Sequence, residues 1–182
     1  MQFLTHIKSP NFTELSSTRE IKFIILHYTE VEFDHAISVY SDENSSLSCH
    51  YLIHMNGEIH NLVDPSNIAW HAGKSCWKDI EKLNNNSIGI EIDNLGNKPF
   101  TNQQMESCIK LCKYLQTKYS IEPHNILGHS DIAPDRKWDP GIFFDWNLLL
   151  KNNIGIPFVT PDPNMPNNII FSKGDSGLEE LQ

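Results

Sequence analysis

No stretch of this chain approaches the ~20 consecutive apolar residues that span a bilayer, so nothing in it reads as a transmembrane helix. The N-terminal MQFLTHIKSPNF lacks the apolar centre of a signal peptide. That points to the cytoplasm, with the periplasm the expectation if a leader has been removed. Positive charge is scarce: 14 Lys and Arg stand against 23 Asp and Glu, for a net charge of −9. A protein that tracks phosphates needs a basic face, so no nucleic-acid partner is expected. The four cysteines contain no CxxC pair, which argues against a cysteine-rich zinc site. Cys108 and Cys112 are spaced as neighbours on one helix face and read as buried thiols. Internal repeats are also missing. What is present, 182 residues with 39% hydrophobic and 20% charged, fits one folded domain with a tail. A monomer is expected.

The apolar pattern alternates between strand and helix. Lys22 to Leu26 is a dense apolar run with β-branched residues and predicts a central strand ending at His27-Tyr28-Thr29. Phe33, Ile37 and Tyr40 then recur at helical spacing, which predicts a helix over Val31 to Tyr40. Cys49 to Met55 and Glu58 to Val63 flank Asn56-Gly57, a strong hairpin signal. Ser87 to Ile92 alternates as a strand. Thr101 to Gln104 reads as a capping box opening a helix whose stripe is Met105, Cys108, Ile109, Cys112 and Leu115. Asn125 to Leu127 predicts a short strand, and Phe143 to Leu150 a last helix. The class that follows is α/β, a mixed central sheet flanked by helices on both faces. Residues 155–168 are rich in proline and asparagine and read as a linker. Residues 169–182 turn helix-like again.

The loop GHSDIAPDRKWDPG, Gly128 to Gly141, concentrates glycine, proline and charge where no regular element can form. Irregular loops on a rigid scaffold are where chemistry sits. Among nine histidines, His6, His35 and His124 carry no partner signal. His50 and His54 lie on a predicted strand, where four residues cover about 13 Å, too far to chelate one ion together. His27 and His129 each stand where a buried strand ends, and Asp139 follows ten residues after His129. Two imidazoles and a carboxylate with one open position are the ligand set of a catalytic zinc site. The competing reading is a buried histidine hydrogen-bonded to an aspartate. Asp131 and Asp135 are rival carboxylates that spacing does not exclude. Glu91, flanked by isoleucines, is either the outward residue of a half-exposed strand or a poised base. Lys137 is either solvated or aimed at a developing oxyanion.

Six motifs in order, SPNF, IILHYTE, SCHYLIHMNGEIHNLVD, AWHAGKSCW, NNNSIGIEIDN and GHSDIAPDRKWDPG with FFDW after it, cover Ser9 to Trp146. Together they resemble the type-2 N-acetylmuramoyl-L-alanine amidases, zinc amidases of peptidoglycan related to phage T7-type lysozymes and animal peptidoglycan recognition proteins. The AmiD-like branch is resembled first and the AmpD-like branch next. The resemblance implies hydrolysis of the amide between N-acetylmuramic acid, or its anhydro form, and L-alanine of the stem peptide. The alternative it leaves is a peptidoglycan-recognition module without catalysis.

The resemblance also assigns roles. His27, His129 and Asp139 align with the zinc ligands, Glu91 with the general base and Lys137 with the group that stabilises the transition state. Tyr28, Trp70, His71 and Asn86 fall in segments implied to contact substrate, a peptidoglycan or muropeptide fragment. Residues 1–154 would be the catalytic domain and 169–182 the start of a truncated peptidoglycan-binding-like helical module. Two departures stand out. Cys49 occupies the place where one branch has a catalytic tyrosine, and Trp138 is bulkier than expected, with a reshaped groove wall as the implication.

Overall fold

The computed structural model describes residues 2–15 and 17–156. All but the first two residues of the linker reading, and the whole of the terminal-module reading, fall on 157–182, outside the described residues. In chain order the elements are β1 (Phe12–Thr13), β2 (Phe23–Tyr28), α1 (Phe33–Ser41), β3 (Tyr51–Ile53), β4 (Ile59–Asn61), β5 (Ile68–Ala69), β6 (Cys76–Trp77) and β7 (Ile80–Glu81). After a 3₁₀ turn at Leu83–Asn86 come β8 (Ser87–Ile92), α2 (Asn102–Tyr119), β9 (Ile126–Gly128), α3 (His129–Ile132) and α4 (Trp146–Leu150). Five strands form the main sheet in the order β4-β3-β8-β2-β9. Strand β4 is antiparallel to β3; the other pairings are parallel.

Two buried faces explain the sheet's composition. Ile24 and Leu26 of β2, Ile88, Ile90 and Ile92 of β8, and Ile126 of β9 pack against the α2 stripe of Met105, Cys108, Ile109, Cys112 and Leu115. Phe23 and Ile25 of β2 face the other way, with Leu83, Leu127 and Ile132. On that second side α1 also packs, placing Ala36 and Tyr40 against Cys49 and Leu52. Helices therefore cover both faces, as the alternation of elements implies. Each fully buried Ile or Leu contributes roughly 1.5–3 kcal/mol by leaving water.

Local chemistry sets the boundaries. Thr101 Oγ1 accepts from the Gln104 amide and the Gln104 side chain accepts from the Thr101 amide, so α2 starts where the capping box places it. The β3–β4 hairpin turns through Met55-Asn56-Gly57, with Gly57 at φ 86° and its amide donating to His54 O at 2.8 Å. That is a three-residue loop with glycine in the left-handed position, not a two-residue turn. The last helix starts at Trp146, not Phe143, because Asp145 caps it through the Leu148 amide at 2.9 Å. The first helix starts at Phe33, not Val31, since Glu32 is still extended.

The alternation of Ser87 to Ile92 has a different meaning from a half-exposed strand. All six residues are buried. Ile88, Ile90 and Ile92 face α2, while Ser87, Gly89 and Glu91 form the opposite face of a strand paired on both sides. An interior parallel strand is covered on both faces. Glu91 is thus a buried carboxylate, and the outward reading is excluded.

Candidate active site and metal centre

Strands β8, β2 and β9 run parallel and end together, and the candidate residues gather at their carboxyl ends. The register pairs His27 with Glu91 across β2 and β8, and Leu26 with Gly128 across β2 and β9. His129 follows Gly128 directly as the first residue of α3. Ligand crevices in parallel sheets form at such strand ends.

The loop after α3 folds back to bring in the carboxylate. The Ser130 amide donates to Asp139 O at 2.9 Å. Gly128 permits this approach, because a Cβ there would stand 2.7 Å from Pro140 Cδ. His27 Nδ1 then lies 2.9 Å from His129 Nδ1 and 2.8 Å from Asp139 Oδ2, and His129 Nδ1 lies 3.1 Å from the same oxygen. Among the described residues these three form the one group that could hold a metal ion, and all three are buried. The rival carboxylates are elsewhere. Asp131 caps the start of α3 by accepting from the Gly128 amide at 2.7 Å. Asp135 is exposed and lines a separate surface groove with Ile132 and Pro134.

The donor set fits a cation. His129 Nε2 is 3.2 Å from Ala72 O, a carbonyl that can only accept, so Nε2 carries the proton and Nδ1 presents a lone pair. Asp139 Oδ1 is buried with no hydrogen-bond partner. Burial lowers the His27 imidazole to about 4, with the neighbouring His129 and Lys137 acting in the same sense against Asp139. A neutral imidazole is the ligand form.

A cavity of about 100 Å³ opens onto this cluster. Glu91, His71, Lys137, Tyr28, Tyr40 and Trp70 line it beside His27, His129 and Asp139. Burial pushes the Glu91 carboxyl well above the usual range, the Asp139 charge pushes further, and the Tyr40 phenol and Lys137 oppose. Its Oε2 has no hydrogen-bond partner in the protein. Cys49 is buried, its thiol pushed well up by burial and by Glu91, so it stays neutral.

Other sequence candidates are placed as follows. The Tyr28 ring ends β2 and lies close against Gly96 and Gly141, both at φ 75°. Trp70 donates its Nε1 proton to Thr13 Oγ1 at 3.0 Å. Asn86 does not line the cavity: it is half-buried, and its side-chain amide donates to Glu20 O at 3.1 Å. Trp138 is 80% exposed and does not line this cavity. His50 is buried beneath the site, accepting from the Gly89 amide at 3.0 Å.

Three residues escaped the sequence reading. Asn84 accepts from the His71 and Ala72 amides, at 3.1 and 2.7 Å, and so holds the WHAG segment in place. Arg136 donates to Ala72 O at 2.6 Å and to Lys74 O, tying the loop that carries Asp139 to the same segment. Tyr40 reads as an apolar stripe residue, yet its phenol reaches Glu91's side of the cavity.

This fold and site define a class. Residues 17–142 match the family model Amidase_2, N-acetylmuramoyl-L-alanine amidase, and the chain belongs to that family. It is 38% identical over 151 residues to N-acetylmuramoyl-L-alanine amidase AmiD of Escherichia coli K12, a match covering 74% of this chain and 54% of that protein. The chain therefore spans about half of that relative's length. It is 33% identical over 165 residues to 1,6-anhydro-N-acetylmuramyl-L-alanine amidase AmpD of Haemophilus influenzae, covering 80% and 90% of the two chains. The solved structure of E. coli AmiD with anhydro-N-acetylmuramic acid-L-Ala-D-gamma-Glu-L-Lys superposes with a TM-score of 0.71 at 34% identity, covering 80% of this chain and 67% of that one.

Proposed function

We propose that this chain is a zinc-dependent N-acetylmuramoyl-L-alanine amidase. The substrate is a muropeptide or peptidoglycan fragment, cut between N-acetylmuramic acid, or its anhydro form, and L-alanine. The carrying observation is the convergence of His27 Nδ1, His129 Nδ1 and Asp139 Oδ2 within 3.1 Å of one another, with Glu91 opposite His27 and Lys137 on the same cavity wall. Three lone-pair atoms this close repel unless a cation sits among them, and two imidazoles with one carboxylate suit zinc.

Zinc in this site supplies Lewis acidity, polarising the amide carbonyl and making a nearby water easier to deprotonate. Glu91 accepts the proton from that water as it attacks the carbonyl carbon. Its raised affinity for protons, a consequence of burial, suits a group that must take a proton and give it back. Lys137 places its ammonium toward the oxygen that becomes negative. The C–N bond then breaks, Glu91 returns its proton to the alanine nitrogen, and the products are the free sugar carboxylate and the stem peptide. Tyr28, Trp70 and His71 form the wall against which the sugar and the first alanine rest.

The test is release of stem peptide from purified muropeptides, with chelator and then with zinc restored. Chelator-sensitive, zinc-rescued cleavage at the lactyl–alanine amide is expected. Binding of the same muropeptides and of zinc without cleavage would replace this reading with a recognition module.

A further inference from the structure

The hydrogen bonds running away from His27 allow one sense only. Ser87 Oγ lies 2.6 Å from Leu83 O, and a carbonyl cannot donate, so the single hydroxyl proton points there. Ser87 Oγ also lies 3.2 Å from His71 Nε2. With its proton committed, the hydroxyl can only accept, so His71 Nε2 carries a hydrogen. A neutral His71 is then bare at Nδ1. That nitrogen is 3.0 Å from His27 Nε2, which must therefore be the protonated nitrogen of His27. His27 is left with its Nδ1 lone pair facing His129 and Asp139.

We propose that Ser87 and His71 are positioning residues: a hydrogen-bonded relay from Leu83 O through Ser87 and His71 fixes the tautomer and ring orientation of His27, presenting Nδ1 to the metal. The proposal rests on the zinc reading above and gives WHAG histidine His71 a task besides lining the substrate cavity. Metal-bound histidines usually donate their second N–H to a carboxylate, carbonyl or water. Here the acceptor is another imidazole, itself oriented from behind.

The strand beneath is shaped for this. A Cβ on Gly89 would lie 2.3 Å from His71 Cγ, so the His71 ring occupies the space a side chain would fill on β8. The face Ser87-Gly89-Glu91 thus carries an anchor for the relay, room for its middle member, and the candidate base. His71 is buried, and its ring meets His27 edge-on with centroids 5.2 Å apart.

Two substitutions separate relay from filler. His71→Asn keeps an acceptor close to the position of Nδ1 but loses ring volume, and His71→Leu keeps volume but accepts nothing. The relay requires His71→Leu to weaken zinc binding, measured by competition with a chromogenic chelator, by roughly 10- to 100-fold. His71→Asn should stay within about threefold of the parent. The reverse order, with Leu benign and Asn weak, would show a packing role and overturn the proposal. A second readout needs no variant: long-range ¹⁵N–¹H spectra of the histidine-labelled protein, with and without zinc. Protons on Nε2 of both His27 and His71 and none on Nδ1 of His71 are expected; a proton on His71 Nδ1 overturns the relay. If the wild-type protein binds no zinc while those tautomers hold, the zinc reading fails and the relay order does not.

Discussion

His27 and Glu91 are register partners on neighbouring parallel strands, both buried, both on the cavity. A candidate ligand and a candidate base are thereby held by backbone pairing, not by loops. Removing the base should therefore leave the metal cluster intact. Glu91→Gln is expected to retain one zinc per chain and to lose about 10²- to 10⁴-fold in turnover, the usual worth of a positioned base. His129→Ala should lose both. Metal analysis beside muropeptide release decides the matter, and near-full activity in Glu91→Gln would remove Glu91 from the mechanism.

Burial also makes the metal-free protein sensitive to acid. Burial lowers the His27 imidazole to about 4 and the His50 imidazole to about 3, and His71 lies well below its ordinary value for the same reason. An unfolded histidine protonates near ~6.5, so between pH 6 and 5 the unfolded chain takes up protons at these three positions that the folded chain does not. Glu91 acts the other way, because its raised folded value keeps a proton the unfolded carboxylate has released. The imidazoles outnumber the carboxyl, so the metal-free protein should lose stability as pH falls from 6 to 5. Urea unfolding of the zinc-free protein at pH 6 and 5 measures the slope. A flat profile would mean these imidazoles are charged in the fold.

Much of the architecture is legible in the chain. Dense β-branched runs gave the interior strands, Asn56-Gly57 the hairpin, and Thr101 with Gln104 the start of α2. The candidate metal-binding cluster is legible as residue types at strand ends, while spacing alone leaves three aspartates open. The resemblance points to Asp139, and the loop's return, held by the Ser130 amide on Asp139 O, brings that carboxylate to the two histidines and leaves Asp131 and Asp135 outside the cluster. The relay was not legible, since it joins Leu83, Ser87 and His71 to His27 through tertiary contact. Asn84 and Asn86 are identical in type and two residues apart, yet the 3₁₀ turn aims one at the WHAG backbone and the other at Glu20. Strands β1, β5, β6 and β7 are two residues each, too short for any periodicity to show.

Gly89 offers a direct check on that buried strand face. A methyl group there meets the His71 ring at 2.3 Å, closer than atoms can approach. The ring must move, since β8 is paired on both sides and cannot. Gly89→Ala should cost about 1–3 kcal/mol, the usual penalty of overpacking. It should also weaken zinc binding through His27. Calorimetry and chelator competition read the two effects separately. Wild-type values for both would mean that the ring is not seated on the strand.

The other side of the metal cluster is held by an arginine. Arg136 spans the carbonyl of Ala72 in WHAG and that of Lys74 just after it, with Nη2 2.6 Å from Ala72 O and Nε 3.1 Å from Lys74 O. The planar guanidinium can serve both at once, and a lysine ammonium on its flexible stem cannot reproduce that fork. Ala72 O is the same carbonyl that accepts from His129 Nε2. Arg136 therefore fixes the acceptor that orients His129, and its neighbour Lys137 is carried on the same loop. Arg136→Lys keeps the charge, so a purely electrostatic contribution would survive it. Loss of the fork predicts instead a zinc affinity reduced by roughly 10-fold and a larger KM for muropeptide as the WHAG wall loosens. Kinetics at saturating zinc isolate the second effect: a raised KM there means the wall has moved even with the cluster filled, whereas an unchanged KM confines Arg136 to the metal side.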